Sequence, residues 1–214
     1  MRHLPLCILP SCFLLLTLLG ACTDRLAPSD DRWGRGGELI AMGGGDGGAR
    51  YACVSCHGAR GEGNGFDAPR LAGLPAGYLQ KQMEDYAAGL RPHAVMRDVA
   101  RFLDSHERVQ VADYYAALPV PRDEAPVPRA PALYARACQP CHGVDGAGTA
   151  LGPPLAGQPA FYLVQQLQDW QVSKRRNDGR HEMLKVAQAL SAAEVVELSR
   201  YLSQIPPRPA HRDR

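Results

Sequence analysis

Cys53, Cys56 and His57 form one Cys-x-x-Cys-His run, and Cys138, Cys141 and His142 form a second. Two thiols three positions apart on a helical turn can each add to one vinyl group of a haem, which gives two thioethers. The histidine that follows then lies beneath the porphyrin and offers a ring nitrogen to the iron. One such run carries little weight; two, each followed by glycine, point to two covalently bound haem c groups. The competing uses of a cysteine pair are a zinc half-site and a thiol–disulfide redox pair. A zinc ribbon needs its pairs about fifteen to twenty residues apart, whereas here the runs are a whole domain apart. A thioredoxin-like pair belongs to an alternating strand and helix pattern, and no strand pattern of any length is present.

The sixth position on each iron decides what such a protein can do. A methionine sulfur closes the coordination shell, raises the potential and suits single-electron transfer, whereas a missing ligand opens the iron to oxygen or peroxide. Met183 is the only methionine after the second run, and Met96 holds the matching place in the first half. Both are assigned as axial ligands opposite His142 and His57. Met83 falls where the second half has Leu167, which makes it a core residue, and His93 and His106 are the rival ligands in the first half. Pro69 and Pro153 stand where a backbone carbonyl could accept the free ring N–H of each histidine and fix its orientation; a plain loop proline is the other reading. Arg91 and Arg175 either hold haem propionates or are solvated surface arginines. Tyr78, Tyr162 and Trp170 read as core.

The elements that position these residues are duplicated. Pro69-Arg-Leu71-Ala-Gly73 recurs as Pro153-Pro-Leu155-Ala-Gly157, Tyr78-Leu79-x-x-Gln82 as Tyr162-Leu163-x-x-Gln166, and Met96-x-x-Val99-Ala100 as Met183-x-x-Val186-Ala187. Glu107, Tyr114 and Pro119 map onto Glu194, Tyr201 and Pro206. Landmarks kept in one order across both halves mark an internal duplication. Apolar spacing predicts helices over Leu74–Leu90 and Ala160–Val172 and a final helix in each half after Ser105 or Ser191. One short helix is expected from Leu133 to Cys141, with a counterpart from Ala49 to Cys56. The run Gly43 to Gly48 must break any longer helix that begins at Gly37. The fold class is therefore all-α. A domain of about 80 residues has a thin core, so each half is expected to need its haem for stability as well as for function.

The ends bound the setting. Leu4 to Leu19 is almost wholly apolar after Arg2 and His3, too short and proline-broken for a membrane span, and reads as a signal peptide. Leu19-Gly20-Ala21-Cys22 resembles a lipobox, with Cys22 as the lipid-attachment residue; several acyl chains would anchor the domain firmly where one would be marginal. Of the seven cysteines, Cys7 and Cys12 leave with the signal and Cys22 would carry lipid, so the remaining four are the motif cysteines and none is free for a structural disulfide. The mature chain is nearly balanced, 23 Lys and Arg against 22 Asp and Glu once Arg2 is removed. No basic stripe suggests nucleic acid, and no second apolar run suggests a transmembrane helix. The division is 1–21 signal peptide of lipoprotein type, 22–35 tether, 36–118 first domain, 119–131 proline-rich linker, 132–206 second domain and 207–214 tail.

On Cys-x-x-Cys-His-Gly, Pro-x-Leu-Ala-Gly, Tyr-Leu-x-x-Gln and Met-x-x-Val-Ala, about residues 36–206 resemble the class I cytochromes c, and among them the two-domain cytochrome c4 family. The resemblance implies two tandem helical cytochrome c domains, with His57–Met96 and His142–Met183 as axial pairs. It also implies a periplasmic, non-enzymatic electron carrier. The expected role is a lipid-anchored carrier between respiratory complexes, with a terminal oxidase or a dehydrogenase as redox partner, soluble in the periplasm if Cys22 is unmodified. The alternatives are a dedicated cytochrome subunit of a dehydrogenase or oxidase complex and a di-haem peroxidase-type enzyme.

Overall fold

Where proline, glycine and cap residues fall sets where each helix begins and stops. The computed structural model describes residues 31–120 and 125–208, with side chains from residue 36 onward. The signal peptide, Cys22 and most of the tether and tail lie outside the described residues. In the first half, α1 (Asp31–Gly43) runs into the glycine-rich segment, where two single 3-10 turns, Gly45–Gly47 and Ala49–Tyr51, lead to the one-turn α2 (Val54–His57). There follow α3 (Ala76–Ala87), α4 (Ala94–Phe102) and α5 (Ser105–Ala117). The second half contains α6 (Ala132–Ala137), α7 (Gln139–His142), α8 (Ala160–Gln171), α9 (Glu182–Gln188) and α10 (Ala192–Gln204). Among the described residues the only β pairing is an isolated bridge between Thr149 and Gly152. The fold is all-α, and no described helix is long and apolar enough to cross a membrane.

Pro75 and Pro159 start α3 and α8 at matching places, each carbonyl accepting the N–H of Leu79 or Leu163 at 3.0 Å. In both halves the long central helix crosses the last one and packs on the methionine-bearing one: α3 on α5 and α4, α8 on α10 and α9. The first core gathers Leu79, Met83 and Tyr86 of α3 with Val111, Ala112 and Tyr115 of α5, and Met83 is the core residue that its spacing predicts. The second core sets Leu163 against Val195, Leu198, Tyr201 and Leu202 of α10.

Three local expectations are corrected. The segment Leu133–Cys141 is not one helix, because α6 stops at Ala137 and α7 restarts beyond Cys138. Pro140 is the cause: inside a continuous helix its ring would press on the carbonyl of Arg136, so the chain restarts with proline in the first turn, where it is tolerated. The Ala49–Cys56 counterpart is likewise split, with Ala52 extended between its 3-10 turn and α2. The cap of α5 is Asp104 rather than Ser105, which stands only two residues before Glu107, and Asp104 forms a capping box with Glu107 at the full spacing of three, as Ser191 does with Glu194 on α10. A cap of this kind contributes about 1 kcal/mol.

Helix α1 also reaches back into residues whose composition reads as tether. Gly37 is what lets it approach α5: a Cβ there would lie 2.1 Å from the carbonyl oxygen of Gln110.

Candidate functional site

Each Cys-x-x-Cys-His run ends a single helical turn, and the loop that follows is built the same way twice. His57 Nδ1 lies 2.9 Å from the carbonyl oxygen of Pro69, and His142 Nδ1 lies 2.9 Å from that of Pro153. A carbonyl only accepts, so Nδ1 must carry the proton, and in a neutral ring Nε2 keeps its lone pair. Burial pushes both rings below the usual histidine range, against the opposing pull of the proline carbonyls. Each histidine is therefore a neutral imidazole with its tautomer fixed and Nε2 available, the state that a metal ligand requires.

Backbone bonds hold each proline carbonyl in place. The carbonyl oxygens of His57 and His142 accept from Gly63 N–H at 2.8 Å and Gly148 N–H at 2.9 Å. The Gly61 carbonyl accepts from Leu71 and Ala72, and the Gly146 carbonyl accepts from Leu155 and Ala156 in the same pattern. Gly63 and Gly148 sit at φ 82° and 83°, and a Cβ on either would come within 3 Å of the backbone beside Pro69 or Pro153. Only glycine satisfies both the dihedral and the approach.

The four motif thiols are free, and burial pushes Cys53 and Cys138 up to about 11. A redox-active thiol needs the opposite shift. Nor do three His, Cys, Asp or Glu side chains converge on a metal-sized point among the described residues. The raised Cys53 and Cys138 thiols do not suit a thiol–disulfide redox pair. The donor set fits a haem in each half: two thiols, then a neutral imidazole aimed by a carbonyl.

Met96 is half-buried on α4 against the first core, and Met183 is half-buried on α9. Their backbones are held differently. Met96 N–H donates to Nδ1 of His93, the cap of α4, at 3.2 Å, whereas Met183 N–H donates to the Asp178 carboxylate at 2.5 Å. His93 thus spends one ring nitrogen on a cap. His106 is exposed on the first turn of α5.

A second feature went unread in the sequence. Arg91 and Arg175 are 3% and 5% exposed, so neither is a solvated surface arginine. The described residues from 33 onward form one compact unit, and these two side chains lie where its halves meet. Arg91 donates to Gln82 of its own half at 2.9 Å and to Gln166 and Tyr162 of the other half, each at 2.7 Å. Arg175 returns the pattern, donating to Gln166 at 2.8 Å and to Gln82 at 3.1 Å. Each guanidinium also lies over the matched aromatic ring of its own half, Arg91 over Tyr86 at 4.7 Å and Arg175 over Trp170 at 3.8 Å. Tyr162 packs against the second core, as its spacing predicts, and also serves the seam with its hydroxyl. The repeated Tyr-Leu-x-x-Gln motif, read together with the repeated arginine, was the available signal.

The cytochrome c family model matches residues 46–114 and again residues 127–206. The chain belongs to the cytochrome c family. Within it, this cytochrome groups with the two-domain cytochromes c4. It is 32% identical to cytochrome c4 of Pseudomonas aeruginosa over 164 residues, covering 70% of this chain and 82% of the relative. It is 37% identical over 187 residues to the thiosulfate dehydrogenase electron acceptor of Stutzerimonas stutzeri, covering 79% of this chain and 86% of the relative. Among solved structures, thiosulfate dehydrogenase (TsdBA) of Marichromatium purpuratum superposes with a TM-score of 0.68 at 36% identity, over 81% of this chain. This cytochrome spans 40% of that longer chain. Two cytochrome c domains imply covalently bound haem c, and the protein is an electron-carrying di-haem cytochrome rather than an enzyme.

Proposed function

We propose that this cytochrome takes electrons singly from a thiosulfate-oxidising dehydrogenase in the periplasm and hands them on to a terminal oxidase of the respiratory chain. The observation that carries the donor is the 37% identity, over 86% of its length, to a protein named as the electron acceptor of thiosulfate dehydrogenase. The likeness to a chain that itself bears the dehydrogenase name supports it further. Lipid at Cys22 would hold the carrier at the membrane, a reading that rests on Leu19-Gly20-Ala21-Cys22.

In this reading Cys53, Cys56, Cys138 and Cys141 would hold the two haems covalently, and His57 with Met96 and His142 with Met183 would hold their irons. When bound, each haem supplies a one-electron iron couple. The chain's own work is to keep both coordination positions filled, so that reduction rearranges little. Pro69 and Pro153 aim the two imidazoles, and the α4 and α9 backbones hold the two methionines.

The test is direct. Oxidised holoprotein mixed with thiosulfate and a catalytic amount of thiosulfate dehydrogenase should be reduced at both haems, at a rate that scales with the dehydrogenase. Thiosulfate alone should leave it oxidised. Reduction no faster with the dehydrogenase than without it would overturn the donor assignment.

A further inference from the structure

We infer that Gln158, a residue of the second domain, is a positioning residue for His57 of the first, so that docking of the domains sets the coordination of one haem and not of the other. Gln158 is 3% exposed, and its amide bonds the backbone of Arg70 at both ends. Arg70 N–H donates to Gln158 Oε1 at 3.0 Å, and Gln158 Nε2 donates to the Arg70 carbonyl at 3.0 Å. Arg70 directly follows Pro69, whose carbonyl accepts the His57 ring proton. The one peptide that aims the proximal imidazole is therefore pinned from across the domain seam.

The Arg70 side chain reinforces the pin. It is 2% exposed, donates to the carbonyl of Ala72 in its own domain, and reaches the Ala156 carbonyl of the other domain at 3.3 Å. Moving the Pro69–Arg70 segment would strand these buried groups, each of which is costly to leave unpaired.

The arrangement runs one way only. The place of Arg70 is taken in the second domain by Pro154, which has no N–H to give, and the place of Gln158 is taken in the first by Leu74, which has no amide. The Pro153 carbonyl is thus held by its own domain's loop alone. A bond from a ligating imidazole to a carbonyl raises ligand basicity, which favours the ferric state. Loosening it should raise the potential of the first couple.

This inference rests on His57 as an iron ligand, and the experiment separates the two. In holoprotein carrying Gln158→Leu, or Gln158→Met where the unbranched shape is needed for folding, a redox titration follows the methyl resonances of Met96 and Met183. The ferrous-to-ferric ratio of the Met96 couple at fixed ambient potential should rise about tenfold, equal to 59 mV for one electron, while the Met183 couple stays put. Equal shifts in both couples, or none, would overturn the coupling. Hydrogen exchange supplies a readout that needs no iron ligand: the Arg70 amide should be protected in the unmodified holoprotein and exchange about a hundredfold faster in the variant. Exchange at the rate of an exposed loop in the unmodified protein would overturn the clamp itself. A protected Arg70 amide with no ligated-methionine resonance would instead sink the ligand assignment, and the coupling with it.

Discussion

Met183→Ala is expected to remove half of the near-infrared sulfur-to-iron absorption of the oxidised protein and, once the protein is reduced with dithionite, to let carbon monoxide bind one of its two irons without denaturant. A thioether ligand raises a haem potential, so the same variant should lower one couple by about 0.1 V or more, within the ~0.8 V range that axial ligation covers. The other couple should hold. Met96→Ala should do the same for the first domain, and there the rivals give the prediction an edge. If Met96→Ala leaves the sulfur-to-iron absorption at its unmodified intensity, the sulfur of Met96 has been misassigned. The Met183 N–H bond to Asp178 and the Met96 N–H bond to His93 hold both sulfur-bearing turns by their backbones. The loss should therefore come from the missing sulfur, with α4 and α9 still folded.

Gly148→Ala is expected to damage the second domain out of proportion to the single methyl added. The residue sits at φ 83°, and its Cβ would lie 2.7 Å from Pro154 N and 2.9 Å from Pro153 C, all backbone that cannot swing aside. A left-handed conformation costs a non-glycine residue about 1–2 kcal/mol, and displacing packed backbone adds about 1–3 kcal/mol. A total near 3 kcal/mol is a large part of the stability of a small domain. The strain falls on the peptide that aims His142, so denaturant unfolding of the second domain should shift and the absorption of its haem should change with it. A loss below about 1 kcal/mol, or an equal shift in both domains, would show that the loop gives way freely.

What the sequence made legible was whatever has a local or repeated signature. The paired Cys-x-x-Cys-His runs, the duplicated Pro-x-Leu-Ala-Gly loops and the apolar spacing of α3 and α8 led directly to two matched helical halves. Even the proline carbonyls facing His57 and His142 followed from position. The misplaced cap of α5 is a matter of spacing: Asp104, not Ser105, stands three residues before Glu107, and the spacing rule applies to aspartate as well as serine. The break at Cys138 was written in Pro140, which an unbroken helix could not hold. The seam is different in kind. The bonds of Arg91 to Gln166 and of Gln158 to Arg70 join residues 75 and 88 positions apart, and nothing periodic marks them. Burial of two like charges on shared acceptors runs against what composition leads one to expect of arginine. The repeated glutamines and arginines hint at it only after the halves have been brought together.

The central claim of the proposed function is that each haem iron would be held by two side chains of this chain, one imidazole and one methionine thioether. Near-infrared magnetic circular dichroism of the oxidised holoprotein, scaled to the number of chains, tests it most directly. It should give the histidine–methionine low-spin signature alone, at an intensity of two per chain. A high-spin component at rest, or the signature at one per chain, would contradict the account.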